Sequence, residues 1–384
     1  MTWLSIIVIA CALCAVLPVT PDRLPASLVI FYWLFSFMGQ AFALPMIFVS
    51  LGLALISPAL AAVVFAVAAA LFGMAHWRNR RTGRLMLDAA GLRDLKLPLD
   101  AGLLPFLTGR SRVLRLKGLA YGDDPANRLD IIVGRRPPTV PMPILIHVHG
   151  GGWVTGKKDQ QAKPLLYHLA PRGWLCFDID YRLGPAHRGP AWIIDVLKAI
   201  AWVRAHAAEH GGDPNRIALT GGSAGGHLTA LAALAHDDPA FKPGFEDADC
   251  SVAAAVPMYG RYDFLDRAKR LGRNHEAVID KFVGEKVMPG KPADCLELWH
   301  AVSPIERLRS DAPPMFLAHG TGDTLLPHQE AEEFARALKA ISAAAVTYVE
   351  LPGIQHGWDM ANSAVAWAQA RAVEAFLAPL RTPG

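Results

Sequence analysis

The chain opens on two long apolar runs. From Trp3 to Val19 every position is apolar or small except Ser5. After Pro21-Asp22-Arg23 a second run, Leu24–Trp77, holds 54 residues without an Asp, Glu, Lys or Arg. A helix crossing a bilayer needs about 20 such residues. The pattern therefore predicts three spans, one in the first run and two in the second. Gly39, Gln40 and Pro45 mark a turn between the latter two, and Ser57-Pro58 a competing one. A soluble helical hairpin would need a polar face toward water, and this run has none. A cleaved leader would start with basic residues, which Met1–Ser5 lacks.

From Val113 the period changes to short apolar runs alternating with helix-length segments. Strands are predicted at Val113–Leu116, Leu129–Val133, Ile144–His149, Trp174–Asp180, Arg216–Thr220, Ser251–Met258, Pro314–His319 and Val346–Leu351. Helices are predicted at Pro190–Ala208, Ser223–Ala235, Gln329–Ile341 and Ala361–Leu380. Such alternation implies an α/β fold with a mostly parallel sheet covered by helices. In these sheets ligands bind beyond the carboxyl ends of the strands, so functional residues are sought there.

Composition adds little until it is divided along the chain. The 384 residues are 52% hydrophobic, which excludes a disordered protein. The net charge of +4 is too small for a dedicated nucleic-acid binder. All of that excess lies in residues 78–110, which hold seven bases and three acids. Three parts follow: an apolar anchor over 1–77, a basic linker over 78–111 and a charge-balanced domain over 112–384. Bases flanking a last span mark its cytoplasmic end. Arg78, Arg80, Arg81 and Arg84 thus put the C-terminal domain on the cytoplasmic side, with membrane lipid as a partner. Leu85–Leu107 mixes leucines with charges, Pro98 and Pro105, and fits either a membrane-surface segment or a helix covering the next domain. The five cysteines lack disulfide or metal spacing and read as small buried apolar residues. Nothing in the sequence sets an oligomeric state.

Gly221-Gly222-Ser223-Ala224-Gly225 is a G-x-S-x-G turn between a predicted strand and a predicted helix. That context presents Ser223 as a nucleophile above the sheet, at a helix N-terminus that favours developing negative charge. His149-Gly150-Gly151-Gly152-Trp153 follows another strand, and consecutive glycines leave backbone N–H groups free to point into a site. Gly151, Gly152 and Ala224 are the expected oxyanion donors, with His149 anchoring the loop. The hydroxyl needs a base and the base an orienting acid. His356, after the last strand, and Asp323, after the one before it, fill those roles in the order Ser, Asp, His. His227, His300, His319 and His328 compete as bases, and Glu350 and Asp359 as acids. Residues 261–312, with Phe264, Leu271, Val278, Ile279 and Phe282, fit a small cap over the site.

Together with Tyr181-Arg182-Leu183, these motifs make residues 112–380 resemble the hormone-sensitive-lipase-like esterases of the α/β-hydrolase superfamily. The apolar N-terminus makes the chain similar to membrane-associated actinobacterial esterases. The resemblance implies an α/β-hydrolase fold, the triad Ser223, Asp323 and His356, and hydrolysis of a small-molecule or lipid ester without metal or organic cofactor. Gly221-Gly222 stands where an acidic residue often precedes the serine, and Tyr-Arg-Leu continues as Gly184-Pro185-Ala186-His187. These departures bear on substrate preference. Amide hydrolysis, acyl transfer to an alcohol and a silent ligand-binding role remain the other readings of this framework.

Overall fold

The structure, a computed structural model, describes residues 3–382. Eight strands form one sheet: β1 (Val113–Ala120), β2 (Arg128–Gly134), β3 (Met142–Val148), β4 (Leu175–Ile179), β5 (Gly212–Gly222), β6 (Ala254–Met258), β7 (Met315–Gly320) and β8 (Val346–Leu351). Their spatial order is β1-β2-β4-β3-β5-β6-β7-β8. The pairs from β4 through β8 are parallel, whereas β1–β2 and β2–β4 are antiparallel. The α/β expectation therefore holds with an antiparallel edge. All seven positions of β3 are buried, as a central strand covered on both faces requires.

Four helices precede the sheet: α1 (Trp3–Val16), α2 (Ala26–Ala41), α3 (Ala43–Ile56) and α4 (Ala59–Ala89). The three predicted spans thus become four helices, because both candidate turns are used. The chain bends by 86° between α2 and α3, and breaks again at Ser57-Pro58 before α4. Pro45, in the first turn of α3, has no N–H to carry α2's ladder onward. Gly39 marks a helix crossing rather than the turn itself: a Cβ there would stand 2.6 Å from the Cys11 carbonyl and Ala15 Cβ of α1. Among the described residues, by length and composition only α4 is long and apolar enough to cross a membrane, or two spans if the bent α2–α3 pair counts as one.

The expected boundary at residue 77 falls inside α4, whose 31 residues run unbroken from the apolar bundle to the sheet. Its basic half is not a free linker. Arg84 donates to the carbonyls of Leu92, Arg93 and Leu95, and Arg80 to those of Leu97 and Pro98. The guanidiniums thereby fold residues 92–98 back along the helix. Helix α4 ends at Ala89, so only the start of Leu85–Leu107 is helical, with Met86 buried in a core of the domain.

The remaining helices are α5 (Lys163–Leu169), α6 (Ala191–His206), α7 (Ala224–Leu234), α8 (Leu296–Ala301), α9 (His328–Ile341) and α10 (Ala364–Phe376). Of these, α5 and α8 lacked a sequence forecast. Between β6 and β7 a wide π-type cap helix, Glu276–Val287, precedes α8. Two apolar cores result, one on each face of the sheet, and a small third one joins α1 to α4 through Val8, Ala12, Phe65 and Phe72. All five cysteines are free, but only Cys176 and Cys250 are buried.

Candidate active site

Four strand ends supply the site. At the end of β5, Ser223 takes φ 59° and ψ −123°, a conformation that costs a non-glycine residue about 1–3 kcal/mol. The neighbouring glycines allow the turn to close. A Cβ on Gly225 would lie 2.0 Å from the Val148 carbonyl, and one on Gly221 2.5 Å from it. The turn therefore sits directly against β3, with α7 beginning at Ala224.

After β3, the His149–Trp153 loop is held from several sides. Gly150 N–H donates to Gln161 Oε1 at 2.7 Å, and Tyr181 O–H to the His149 carbonyl at 2.9 Å. The His149 ring stacks on Tyr181 at 4.4 Å between centroids. Burial pushes the His149 imidazolium below its ordinary range. Among the described residues the amides of Gly151 and Gly152 have no protein acceptor, and both glycines border the same cavity as Ser223.

After β7, the Asp323 carboxylate is fully engaged. Its Oδ1 accepts the amides of Leu325 and Leu326 at 2.8 and 2.9 Å. Its Oδ2 is shared by His356 Nδ1 at 2.7 Å and His319 Nε2 at 2.9 Å. Burial alone would raise this carboxyl, but the His356 charge and the two imidazole hydrogen bonds outweigh it and hold it well below the usual carboxylate range. After β8, the loop bearing His356 is tied to the Asp323 turn. Gln355 Oε1 accepts from Thr324 N–H at 2.9 Å and His356 N–H at 2.9 Å, and Gly353 N–H donates to Thr321 Oγ1 at 2.8 Å. Tyr259 packs edge-on against the His356 ring, 4.8 Å between centroids.

Apart from His319, which shares the Asp323 carboxylate with His356, the competing histidines and acids are occupied elsewhere. His227 accepts Trp153 Nε1–H at 3.1 Å and pairs with the Val302 carbonyl at 2.8 Å, and burial pushes it down to about 3. It is a neutral core residue. Asp359 accepts the Tyr259 hydroxyl, His328 approaches Glu350, and His300 sits on Glu306 at the surface. No cluster of three His, Cys, Asp or Glu side chains among the described residues has metal-binding geometry.

Ser223, His356, Gly151 and Gly152 open into one cavity of about 650 Å³. Leu271, Val278, Phe282 and Val283 of the 261–312 insertion form one wall, where a cap was expected. Helix α2 supplies another part of the wall, through Ala26, Val29, Ile30 and Trp33. No residue of the basic segment 78–111 lines it. Helix α2 also holds the His356 loop. Trp33 Nε1–H donates to the His356 carbonyl at 3.1 Å, Gln40 Nε2–H to the Gly353 carbonyl at 3.1 Å, and Gln40 Oε1 accepts Gln355 N–H at 2.9 Å. Sequence reasoning missed Trp33, Gln40, Gln355 and Gln161. The one available signal was Gln40 itself, an amide in an otherwise charge-free apolar run.

Sheet order, strand–serine–helix turn and covering cap define an α/β-hydrolase fold of the esterase type. The BD-FAE family matches residues 129–338, and the chain belongs to it, within the hormone-sensitive-lipase-like α/β-hydrolases, a family of ester hydrolases. It is 46% identical to "Probable carboxylic ester hydrolase LipM" of Mycobacterium tuberculosis, over 68% of this chain and 60% of that protein. It is 41% identical to "Esterase LipC" of the same organism, over 78% of this chain and 76% of LipC. A butyrate-bound thermophilic esterase, Est2 of Thermogutta terrifontis, superposes with TM-score 0.56 at 25% identity, covering 70% of this chain and 95% of Est2.

Proposed function

We propose that the protein is a membrane-anchored serine carboxylesterase. The observation that carries this reading is the shared cavity of Ser223 and His356, with Asp323 Oδ2 2.7 Å from His356 Nδ1. In this mechanism His356 takes the Ser223 proton as the hydroxyl attacks an ester carbonyl. Asp323, ionised and held by two loop amides, fixes the imidazole tautomer and stabilises the imidazolium. The amides of Gly151, Gly152 and Ala224 receive the oxyanion. His356 then returns its proton to the departing alcohol, and water, activated by the same imidazole, hydrolyses the acyl-enzyme.

The apolar helices α1–α4 serve as the anchor, and the four arginines after Trp77 favour a cytoplasmic catalytic domain. The names of LipM and LipC support ester chemistry, and butyrate in Est2 is consistent with a carboxylate product. The test is Ser223→Ala. Turnover of a p-nitrophenyl ester should fall by about 10⁴–10⁶, and labelling by a fluorophosphonate should disappear. Retained turnover or labelling refutes the assignment. A silent ligand-binding protein would show neither in the parent chain.

A further inference from the structure

The cavity wall made by α2 belongs to the segment that carries no charge from Leu24 to Trp77. Ile30 both lines the cavity and is 59% exposed. Its neighbours Leu28 and Phe31 are 50% and 66% exposed. The rim of the catalytic cavity is therefore continuous with an apolar exterior. Monomers in water rarely expose large contiguous apolar patches, and such a surface fits hydrocarbon. Val278 and Phe282 of the cap helix line the same cavity with apolar side chains of their own. The two walls are pinned together at one end. Asn274 Nδ2–H donates to the Pro21 and Leu24 carbonyls at 2.6 and 2.9 Å, gripping the chain just before α2.

We propose that α2 and the cap helix form a hydrocarbon-chain subsite entered sideways from the bilayer. The substrate class is then a membrane-resident ester with a long unbranched chain. The proposal rests on Ser223 as nucleophile and on α1–α4 as the anchor. A long chain partitions into the bilayer, slides over Ile30, and lies between Val29 and Phe282 while its ester reaches Ser223. The side chains named along that path, Ile30, Val29 and Phe282, are apolar, so chain burial contributes directly to binding. A short, water-soluble ester gains nothing from this wall.

The experiment uses the full chain reconstituted in phosphatidylcholine vesicles. It compares kcat/KM for palmitoyl and butyryl esters of one fluorogenic alcohol. The parent should prefer the palmitoyl ester. Val29→Trp, which fills the gap, should lower the palmitoyl-to-butyryl ratio by about tenfold, equivalent to losing the burial of two methylene groups. Ile30→Ser, a milder change at the exposed rim, should lower the same ratio and covers the case in which Val29→Trp does not fold. Leu55→Trp, 87% exposed on α3 and outside the cavity, should leave the ratio within about twofold. A parent that prefers butyryl esters, or folded variants at Val29 and Ile30 with the parental ratio, overturns the subsite. Fluorophosphonate labelling of the parent separates the two failures. Labelling with the wrong chain preference rejects the subsite alone, and absent labelling rejects the catalytic reading beneath it.

Discussion

Replacing Gln40 by leucine tests whether the N-terminal bundle is a detachable tether or a part of the catalytic machinery. Gln40 is only 8% exposed, and both ends of its amide are used on the loop that carries His356. Leucine has similar bulk and keeps the helix, so the perturbation is mainly polar. It leaves Gln355 N–H and the Gly353 carbonyl facing an apolar side chain. An unpaired buried polar group costs about 1–3 kcal/mol, so the native loop position loses roughly 2–6 kcal/mol before it relaxes. The loop escapes part of that cost by moving away from α2. Its other ties, Gln355 to Thr324 and Gly353 to Thr321, resist this and transmit the movement to the Asp323 turn. A displacement of about 1 Å at a catalytic group typically costs about 10²-fold in rate. Gln40→Leu should therefore lower kcat on a p-nitrophenyl butyrate substrate by about ten- to a hundredfold, with a smaller change in KM. Fluorophosphonate labelling should slow in parallel, because it needs the same base but no bulky substrate. Gln40→Glu keeps the acceptor for Gln355 N–H and should fall between the two. The assay is run on detergent-purified protein with helix content matched by circular dichroism. A folded Gln40→Leu variant with kcat within about twofold of the parent refutes the reasoning.

Asp323→Asn should reduce kcat by about 10⁴ through loss of the His356 tautomer. Because the carboxyl is held below its ordinary 3.8, it stabilises the fold above that pH and loses this contribution as pH falls through its depressed folded value. The melting-temperature gap between parent and Asp323→Asn should accordingly be widest near neutrality and shrink in acid; a gap that widens in acid contradicts this. Gly225→Ala places a Cβ 2.0 Å from the Val148 carbonyl, so the elbow must separate from β3, and both melting temperature and Ser223 labelling should fall. His356→Ala should lose about 10⁴ in kcat, whereas His227→Gln should stay within about tenfold, because His227 is a neutral bridge between Trp153 and Val302. The reverse order in stopped-clock ester assays would make His227 the base.

The chemistry-bearing turns were legible because each is a local event. A strand ending in glycines and a serine opening a helix is written within a few consecutive residues, as in Ile217–Gly225 and Ile144–Trp153. The loops after β7 and β8 could likewise be found by counting strands, which brought Asp323 and His356 forward. Their separation of 2.7 Å could not be read in that way, since it depends on β7 and β8 lying side by side in register. His319 as a second donor to Asp323 has the same origin: it ends β7, four residues before the acid, and only the fold of the turn points it back.

The alternation that makes a mostly parallel sheet, the serine elbow, the glycine loop and the charge-free beginning all rest on short-range backbone chemistry and hydrophobic period, and can be read residue by residue. How far that beginning participates in the site depends instead on the three-dimensional packing. Hydropathy reports that Leu24–Trp77 avoids charge but not which neighbour each side chain meets. The 86° bend at Phe42, the tight α1–α2 crossing at Gly39 and the unbroken α4 together carry α2 onto the His356 loop. Residues 33 and 40 thereby reach residues 353–356, more than 300 positions away, through hydrogen bonds. Such contacts are set by packing many segments at once, and no local pattern encodes them.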